Sequence, residues 1–272
     1  MYSNLFDSHT HTDNSFDGHH SAMMLCESAV ENGLSGIAIT DHCDIELFDE
    51  QNLSLRIKQS FFEALKARDV FNGRLDLSCG IELAQPFASP EKTEMILSSY
   101  HFDFVLCSTH ALPGQLDFAL NYYKNYSAKQ FNIIFACYLR QLLRVIHWGR
   151  FDSLAHLTYP LRYAINKDGD TVDLSLHRDL IDEVLKLLIQ KGKALEINTS
   201  GLRQNLKTTL PTLDVIKRYR ELGGELLTVG SDAHLTTHVG AGLSEGMELA
   251  KEAGFDYIAF YRNRKPEMKK IS

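Results

Sequence analysis

Short apolar runs rich in β-forming residues alternate with amphipathic helical patterns along the whole 272-residue chain. The runs that predict strands are Asn4–Ser8, Gly36–Thr40, Leu75–Ile81, Phe102–Cys107, Ser153–Ala155, Ala194–Ile197, Leu226–Val229 and Tyr257–Phe260. Strands that alternate with helices are typically parallel and joined by helical crossovers. Seven or eight such units favour a closed or distorted barrel over an open sheet. Because the sequence contains no linker, repeat or low-complexity segment, we expect one domain over residues 1–272.

Helical patterns lie between the predicted strands. Apolar residues recur at helical spacing in three segments, Met23–Glu31, Gln59–Val70 and Leu180–Ile189. Pro211 is expected to begin a further helix that stops at Gly223, since proline favours the first helical turn and glycine the position after the last one. The segment 112–146 lacks a predicted strand, and we expect helical packing or an insertion over the barrel mouth there.

The charge balance narrows the classes of partner. Lys and Arg total 28 against 35 Asp and Glu, and the net charge of −7 disfavours a broad basic face for nucleic acid but not a small phosphorylated ligand. No apolar run approaches the roughly 20 residues of a membrane span, and no signal-peptide pattern is present. The five cysteines form no CxxC pair, which is typical of unpaired thiols in a reducing compartment. These features predict a soluble cytoplasmic protein with neither membrane nor nucleic acid as partner.

Side chains that can bind metals follow the predicted strands at seven carboxyl ends. They are Asp7, His9, His11, Asp41, His42, Glu82, His110, His156, Glu196, Asp232 and His234. In a βα barrel these strand ends converge on one mouth, where the chemistry is located. Burying so many polar groups together would be costly without a compensating ion. The pattern therefore predicts a metal centre at the mouth.

Two pairs of residues are spaced two apart at strand ends. Residues two apart in a strand point the same way, so His9 and His11 can chelate one ion, and Asp232 and His234 repeat this spacing. Imidazole and carboxylate together suit Zn²⁺, Mn²⁺ or Fe²⁺ better than Ca²⁺ or Mg²⁺. With Glu82 as a candidate bridging carboxylate, the donors exceed the need of one tetrahedral ion, which predicts two or three divalent ions.

Six motifs give these residues a family context. The strings DSHTHTDNSFDG, AITDH, GIE, STH, AHLTYP and GSDAH, in this order, resemble the polymerase and histidinol phosphatase (PHP) family. Within it, EINTSGLR and AHLTYPLRY resemble the monofunctional histidinol-phosphatase branch, and the resemblance covers nearly the whole chain. It implies a distorted (β/α)7 barrel, similar to a TIM barrel, with a trinuclear metal centre. It also implies hydrolysis of L-histidinol phosphate to L-histidinol and phosphate in histidine biosynthesis.

The resemblance also implies a set of metal ligands. The first ion would take four of them, His9, His11, Glu82 and Asp232. The second ion would share the bridging Glu82 and add His110 and His156. The third would take His42, His234 and, from the DNSFDG string, Asp17. Many relatives place a histidine at that last position, so His19 and His20 remain alternatives to Asp17.

Two arginines and two proton donors complete the implied site. Arg203 and Arg162 match positions where the family binds phosphate, and a planar guanidinium can engage two phosphate oxygens at once. A hydroxide bridging two ions would attack phosphorus in line, its pKa lowered by the metals. Asp17 or His234 would assist the departing alcohol.

Alternatives remain open at this stage. The same metal site could cleave a phosphodiester or a nucleotide, although the acidic charge balance argues against long nucleic acids. The chain could also be a catalytically silent metal-bound module, against which the intact ligand set argues. Asp7 and Asp41 are equally compatible with orienting an imidazole and with a purely structural role. Nothing in the sequence indicates the oligomeric state.

Overall fold

The computed structural model describes residues 2, 4–121, 123 and 125–272. The strands within these residues are β1 (Phe6–Thr10), β2 (Gly36–Ile39), β3 (His42–Asp44), β4 (Asp76–Ala84), β5 (Phe104–Ser108), β6 (Ser153–Leu154), β7 (Ala194–Asn198), β8 (Leu227–Gly230), β9 (Tyr257–Arg262) and β10 (Lys265–Lys270). The α-helices are α1 (Ala22–Glu31), α2 (Leu53–Val70), α3 (Pro90–Ser99), α4 (Ala128–Trp148), α5 (Arg178–Gln190), α6 (Ser200–Arg203), α7 (Leu213–Glu221) and α8 (Leu243–Glu252).

Seven strands form a parallel sheet that is nearly closed into a barrel. The order is β1-β2-β4-β5-β6-β7-β8, and every neighbouring pair is parallel. Beyond β8 the chain bonds back to β1, where the Asp232 amide donates to the carbonyl of His9 at 2.8 Å and the His11 amide to the carbonyl of Ala233 at 2.8 Å. The predicted distorted (β/α)7 barrel is confirmed.

Strand β4 is nine residues long and has two partners on one side. Its first half pairs with β2, and its second half pairs with the short β3, where His42 lies opposite Glu82. The sequence did not predict β3, because three residues are too few to show a period of two. Between β2 and β3 the chain remains bonded to its neighbours, because the Thr40 amide donates to the Thr10 carbonyl at 2.9 Å and the Asp41 carbonyl accepts the Glu82 amide at 3.0 Å.

The eighth predicted strand does not join the barrel. It forms β9, which pairs antiparallel with β10 through a tight turn at Asn263 and Arg264, both with positive φ. The hairpin packs under the amino ends of the barrel strands: the Phe260 ring lies 4.8 Å from that of Phe6, and the Tyr261 ring 5.1 Å from that of Phe104. Its apolar residues therefore cover the bottom of the barrel rather than extend the sheet.

The predicted helical segments 23–31, 59–70 and 180–189 lie within α1, α2 and α5, but α2 begins earlier, at Leu53, and the sequence did not predict α3, α6 and α8. Helix α7 begins at Leu213 rather than at Pro211, with Thr212 as its N-cap. The segment 112–146 contains the start of α4, whose capping box joins Ser127 and Gln130. After β5, residues 111–121 return to the carboxyl end of that strand, where the Phe118 amide donates to the carbonyl of His110 at 2.9 Å.

The described residues contain no helix with both the length and the apolar character needed to cross a membrane. The five cysteines are unpaired, and Cys137 is the exposed one among them.

Candidate metal centre

Four donor atoms converge where β1, β4 and the end of β8 meet. The Nε2 atom of His9 lies 3.5 Å from Oε2 of Glu82 and 3.8 Å from Oδ1 of Asp232. The corresponding distances from Nε2 of His11 are 3.6 and 3.5 Å. Ligands about 2.0–2.2 Å from a tetrahedral ion are about 3.3–3.6 Å from one another. The spacing of these four atoms is therefore that of a single ion's ligands.

Three of these atoms are buried and make no hydrogen bond of acceptable geometry within the described part of the chain. They are Nε2 of His9, Nε2 of His11 and Oε2 of Glu82, and each of these residues is at most 1% exposed. Buried polar atoms are nearly always satisfied, because leaving one unpaired costs its full desolvation penalty. A divalent ion would satisfy all three atoms at once. The donors present thus fit a metal of the class predicted from the sequence.

The other oxygen of Glu82 faces a second group of imidazoles. Nε2 of His156 lies 2.9 Å and Nε2 of His110 3.3 Å from Oε1 of Glu82. In addition, Nδ1 of His42 lies 2.9 Å from Oε2 of the same carboxylate. His42, Glu82 and His110 offer donor atoms within 4.8 Å of one another. The structure therefore also brings His42 to Glu82, whereas the family resemblance implied it only beside His234 and Asp17.

A third group of candidate ligands, which forms a triangle, lies at the outer edge of the mouth. Asp17 is 3.5 Å from Nε2 of His42 and 3.3 Å from Nε2 of His234, and the two imidazole nitrogens are 3.5 Å apart. His19 is exposed, and Nδ1 of His20 accepts the amide N–H of Thr236. Of the three candidates from the DNSFDG region, the structure places Asp17 in this triangle and the two histidines outside it.

Three side chains contact the Nδ1 atoms of candidate ligand imidazoles and orient these rings. Glu196 lies 2.7 Å from Nδ1 of His9, Asp44 lies 2.8 Å from Nδ1 of His110, and Ser15 lies 3.2 Å from Nδ1 of His11. A partner on Nδ1 fixes the ring so that Nε2 points toward a metal. The sequence showed Glu196 at a strand end without indicating this role, and Asp44 and Ser15 carried no signal apart from their proximity to candidate ligands.

Asp41 and Asp7, the two carboxylates whose role the sequence did not decide, have different hydrogen-bond partners. Asp41 accepts hydrogen bonds from the Thr12 amide at 2.6 Å and from the Ser15 hydroxyl at 2.7 Å, so it positions His11 indirectly through Ser15. Asp7 accepts the Ser231 amide at 2.8 Å and the Gly240 amide at 2.9 Å, which ties β1 to the chain after β8. Burial raises the pKa of Asp7 despite these bonds. The Asp7 contacts are structural.

Two arginines lie beside Asp232. Arg162 donates through Nη2 to Oδ2 of Asp232 at 3.2 Å, and Arg203 donates through Nη2 to the Asp232 carbonyl at 2.7 Å. Nε of Arg162 and Nη1 of Arg203 are buried and have no partner. Burial opposes the charge of Arg162, but Asp232 outweighs it and raises the pKa of the guanidinium, whereas burial lowers that of Arg203. Their unused N–H groups are suited to an anion.

The imidazoles and carboxylates of the centre strongly shift one another's pKa values. Burial alone would lower the pKa of His9, but Glu196 and Glu82 outweigh it and raise that pKa well above its ordinary value. Burial would raise the pKa of Glu82, but His110 and His9 lower it well below its usual range. The pKa of His11 is lowered, first by burial and then by repulsion from His42 and His234. Such perturbed groups cluster at functional sites.

Two residues of the centre have strained backbones. His156 has φ of 23° and Asp232 has φ of 55°, although neither is glycine. Conformations of this kind cost on the order of 1–3 kcal/mol and persist where the surroundings determine them. The His156 amide donates to Glu196 at 2.7 Å, and the Asp232 amide donates to the His9 carbonyl at 2.8 Å. These hydrogen bonds hold the two candidate metal ligands, His156 and Asp232, at the mouth.

Fold and site together define a βα-barrel protein whose mouth can hold divalent metal ions. The PHP domain model matches residues 7–200, and the chain belongs to this family. It is 31% identical over 261 residues to a probable histidinol-phosphatase of Clostridium acetobutylicum, covering 94% of this chain and 96% of that protein. It is 27% identical over 272 residues to the histidinol-phosphatase of Lactococcus lactis subsp. lactis, and this match covers 98% of this chain and 97% of that protein.

A solved structure of the same family is closely similar. The crystal structure of histidinol phosphate phosphatase from Lactococcus lactis, complexed with zinc, L-histidinol and phosphate, matches with a TM-score of 0.81 at 25% identity. The match covers 96% of this chain and 98% of that chain. The likeness is therefore not confined to residues 7–200, which the family model matches.

Proposed function

We propose that the protein is a metal-dependent phosphomonoesterase that hydrolyses L-histidinol phosphate to L-histidinol and phosphate in histidine biosynthesis. The observation that carries this proposal is the convergence of unpartnered imidazole and carboxylate atoms with two arginines that have unused buried N–H groups. Relatives named histidinol-phosphatase that align with almost the whole chain support the choice of substrate.

Two or three divalent ions are proposed to occupy the mouth. The ligands proposed for the first position are His9, His11, Glu82 and Asp232. Those for the second are Glu82, His110 and His156, and those for the third are Asp17, His42 and His234. Zinc is favoured because the Lactococcus structure contains it, and manganese or iron suits the same donors. Bound ions of this kind lower the pKa of water and neutralise phosphoryl oxygens.

The arginines are proposed to bind the phosphate. Arg162 contacts the carboxylate of Asp232 and Arg203 contacts its carbonyl, so an anion near Asp232 could accept hydrogen bonds from the unused N–H groups of both. The positive charge of the two guanidinium groups offsets the negative charge on the phosphoryl oxygens while the bond to the leaving oxygen breaks.

The leaving alcohol requires a proton at its ester oxygen. His234 is the proposed donor and Asp17, 3.3 Å away, is proposed to assist it, because both are only partly buried, at 23% and 41% side-chain exposure, at the outer edge of the mouth. Burial alone would raise the pKa of Asp17, but His234 and His42 outweigh it and hold that pKa below its usual range, so Asp17 assists as a carboxylate. Both residues are also proposed ligands of the third metal position.

The remaining assignments concern the whole chain. We propose that residues 1–272 form a single domain, since the C-terminal hairpin packs its aromatic rings directly against β1 and β5. The unpaired thiols favour the cytoplasm as its compartment, and the net charge of −7 favours a small substrate over nucleic acid.

Phosphate release by the protein loaded with zinc or manganese tests the function. L-Histidinol phosphate, a mononucleotide and a cyclic phosphodiester would be compared by kcat/KM. We expect a large preference for histidinol phosphate. A preference for the mononucleotide or the diester would overturn the substrate, and no turnover on any of the three by fully loaded protein would favour a catalytically silent module.

A further inference from the structure

One carboxylate at the mouth has no role in the proposed metal sites. Asp117 lies in the segment 111–121 that follows β5 and is half-buried, and its donor oxygen lies within 4.8 Å of those offered by Asp44 and His110. Its hydrogen-bond donors are neutral: the Tyr159 hydroxyl at 3.0 Å and the Ala119 amide at 2.7 Å. Among the described residues, no lysine or arginine forms an ion pair with it.

The neighbouring His110 does not neutralise Asp117. Nδ1 of His110 is 2.8 Å from Oδ1 of Asp44, and Nε2 of the same ring faces Glu82 at 3.3 Å. Both ring nitrogens are therefore engaged. The other oxygen of Asp44 is buried without a hydrogen-bond partner, in a residue that is 5% exposed. Asp44 is thus paired with His110 and lies 3.6 Å from Nδ1 of His42, whereas Asp117 has no Lys, Arg or His nitrogen within ion-pair distance among the described residues.

Tyr159 connects this acidic pair to the phosphate-binding side of the mouth. The Arg162 guanidinium lies 5.3 Å from the centre of the Tyr159 ring, while the hydroxyl of that ring reaches Asp117. The ring is also 4.8 Å from that of His156 and 5.0 Å from that of His110. An anion held by Arg162 and a cation held by Asp117 would therefore be separated by about the length of one tyrosine side chain.

We propose that Asp117, with Asp44 beside it, binds the ammonium group of the substrate and makes the site specific for phosphate esters of amino alcohols. The inference rests on the proposed phosphomonoesterase function. In such an ester the ammonium is attached to the carbon next to the ester CH₂ group, so one molecule can place its phosphate against the arginines and its cation against Asp117. A carboxylate with only neutral donors is suited to this cation because charge-assisted hydrogen bonds are stronger than neutral ones.

Two pairs of substrates test the proposal with the Asp117→Asn variant. The first pair is L-histidinol phosphate and its analogue without the amino group, and the second is phosphoethanolamine and ethyl phosphate. Asparagine still accepts the Tyr159 and Ala119 bonds but lacks the charge. We expect kcat/KM to fall about 10- to 100-fold for the amine of each pair and less than about 3-fold for its amine-free partner. Asp256→Asn, an exposed carboxylate far along the chain, is the matched control and should alter neither value.

Three results would overturn the proposal. They are an equal loss on both members of each pair, a wild-type protein with no preference for the amine, and loss of a metal ion from Asp117→Asn by elemental analysis, which would make Asp117 a ligand instead. The second substrate pair separates this proposal from the proposed function. If wild type prefers phosphoethanolamine but does not hydrolyse histidinol phosphate, the ammonium site stands and the proposed substrate is wrong.

Discussion

Glu82 is the residue on which the proposed metal positions depend. Five imidazoles have a ring nitrogen within 3.6 Å of its two oxygens, those of His9, His11, His42, His110 and His156. Its position in β4, opposite His42 of β3, places it near the centre of the mouth. A carboxylate in this position can join two ions, which an imidazole cannot do because it has one free nitrogen.

Replacement of Glu82 by alanine should remove at least one ion. The remaining imidazoles would have no shared anionic ligand, and their mutual repulsion would no longer be offset. Elemental analysis of purified Glu82→Ala against wild type measures this, with the exposed Glu225→Ala as control. Retention of the full metal content would contradict the bridging assignment.

Replacement of Arg203 by alanine should weaken phosphate binding and leave the metal content unchanged. Arg203 contacts the Asp232 carbonyl and not its carboxylate, so its removal leaves that ligand in place. We expect the inhibition constant for inorganic phosphate to rise about 10- to 100-fold, the effect of losing one charge-assisted contact. Arg140→Ala, on the exposed face of α4, should match wild type. Unchanged phosphate inhibition in Arg203→Ala would exclude Arg203 from the site.

At the scale of the elements, close packing between β8 and β1 sets the position of His9. Gly230 ends β8, and a Cβ atom there would lie 2.4 Å from Cβ of His9 and 2.7 Å from Oε1 of Glu196. The side chains of β1 and β7 thus occupy the space that any larger residue at Gly230 would need.

Gly230→Ala should therefore disturb the metal centre through the barrel itself. Overpacking of a buried site costs about 1–3 kcal/mol, and here the displaced groups are His9 and the carboxylate that orients it. We expect a lower free energy of unfolding and weaker metal binding, measured by denaturant titration and by competition with a chromophoric chelator. Gly192→Ala is the control: its φ of 62° strains alanine, but no atom lies within 4 Å, so it should cost stability without changing metal affinity.

The sequence predicted those parts of the molecule that have a periodic signal. His9, His11, Glu82 and most of the other proposed donors lie in or just after strands, so alternation of apolar residues located them and the barrel geometry brought them together. Asp17 lies in the loop between β1 and α1, and only the family resemblance indicated it. Asp117 could not be found in this way, because it lies in a loop whose course depends on contacts with Tyr159 rather than on local pattern. Strand β9 was predicted, but its antiparallel pairing with β10 was not: the tight turn places an arginine at positive φ, where glycine would have given a signal.

For the molecule as a whole, metal binding and protonation compete. Burial alone would lower the pKa of His42, but Glu82 and Asp44 outweigh it and raise the pKa to about 9. Because this value lies above neutrality, His42 carries a proton at pH 7 that a metal ion has to displace. The same direction holds for His9 and His110, whose pKa values are also raised.

Metal affinity should consequently rise with pH between about 6 and 9, as protons leave these imidazoles. The sign follows from the raised pKa values: protonation favours the metal-free form below them, and this advantage is lost as the pH rises through them. Calorimetric titration of zinc in two buffers with different ionisation enthalpies measures the protons released. An affinity that does not change with pH, with no proton release, would contradict this assignment of the charged groups.

The bonds that close the barrel also determine when the proposed centre can form. His9 and His11 lie near the start of the chain, while Asp232 and His234 come from beyond β8, and the two regions meet through the amides of His11 and Asp232. During synthesis the ribosome releases the first pair of ligands long before the second. A growing chain thus carries exposed histidines but cannot enclose an ion in the final geometry. The two proposed positions that use Asp232 or His234 can therefore be completed only after residue 234 has been translated, whereas the ligands of the position formed by Glu82, His110 and His156 are synthesised earlier.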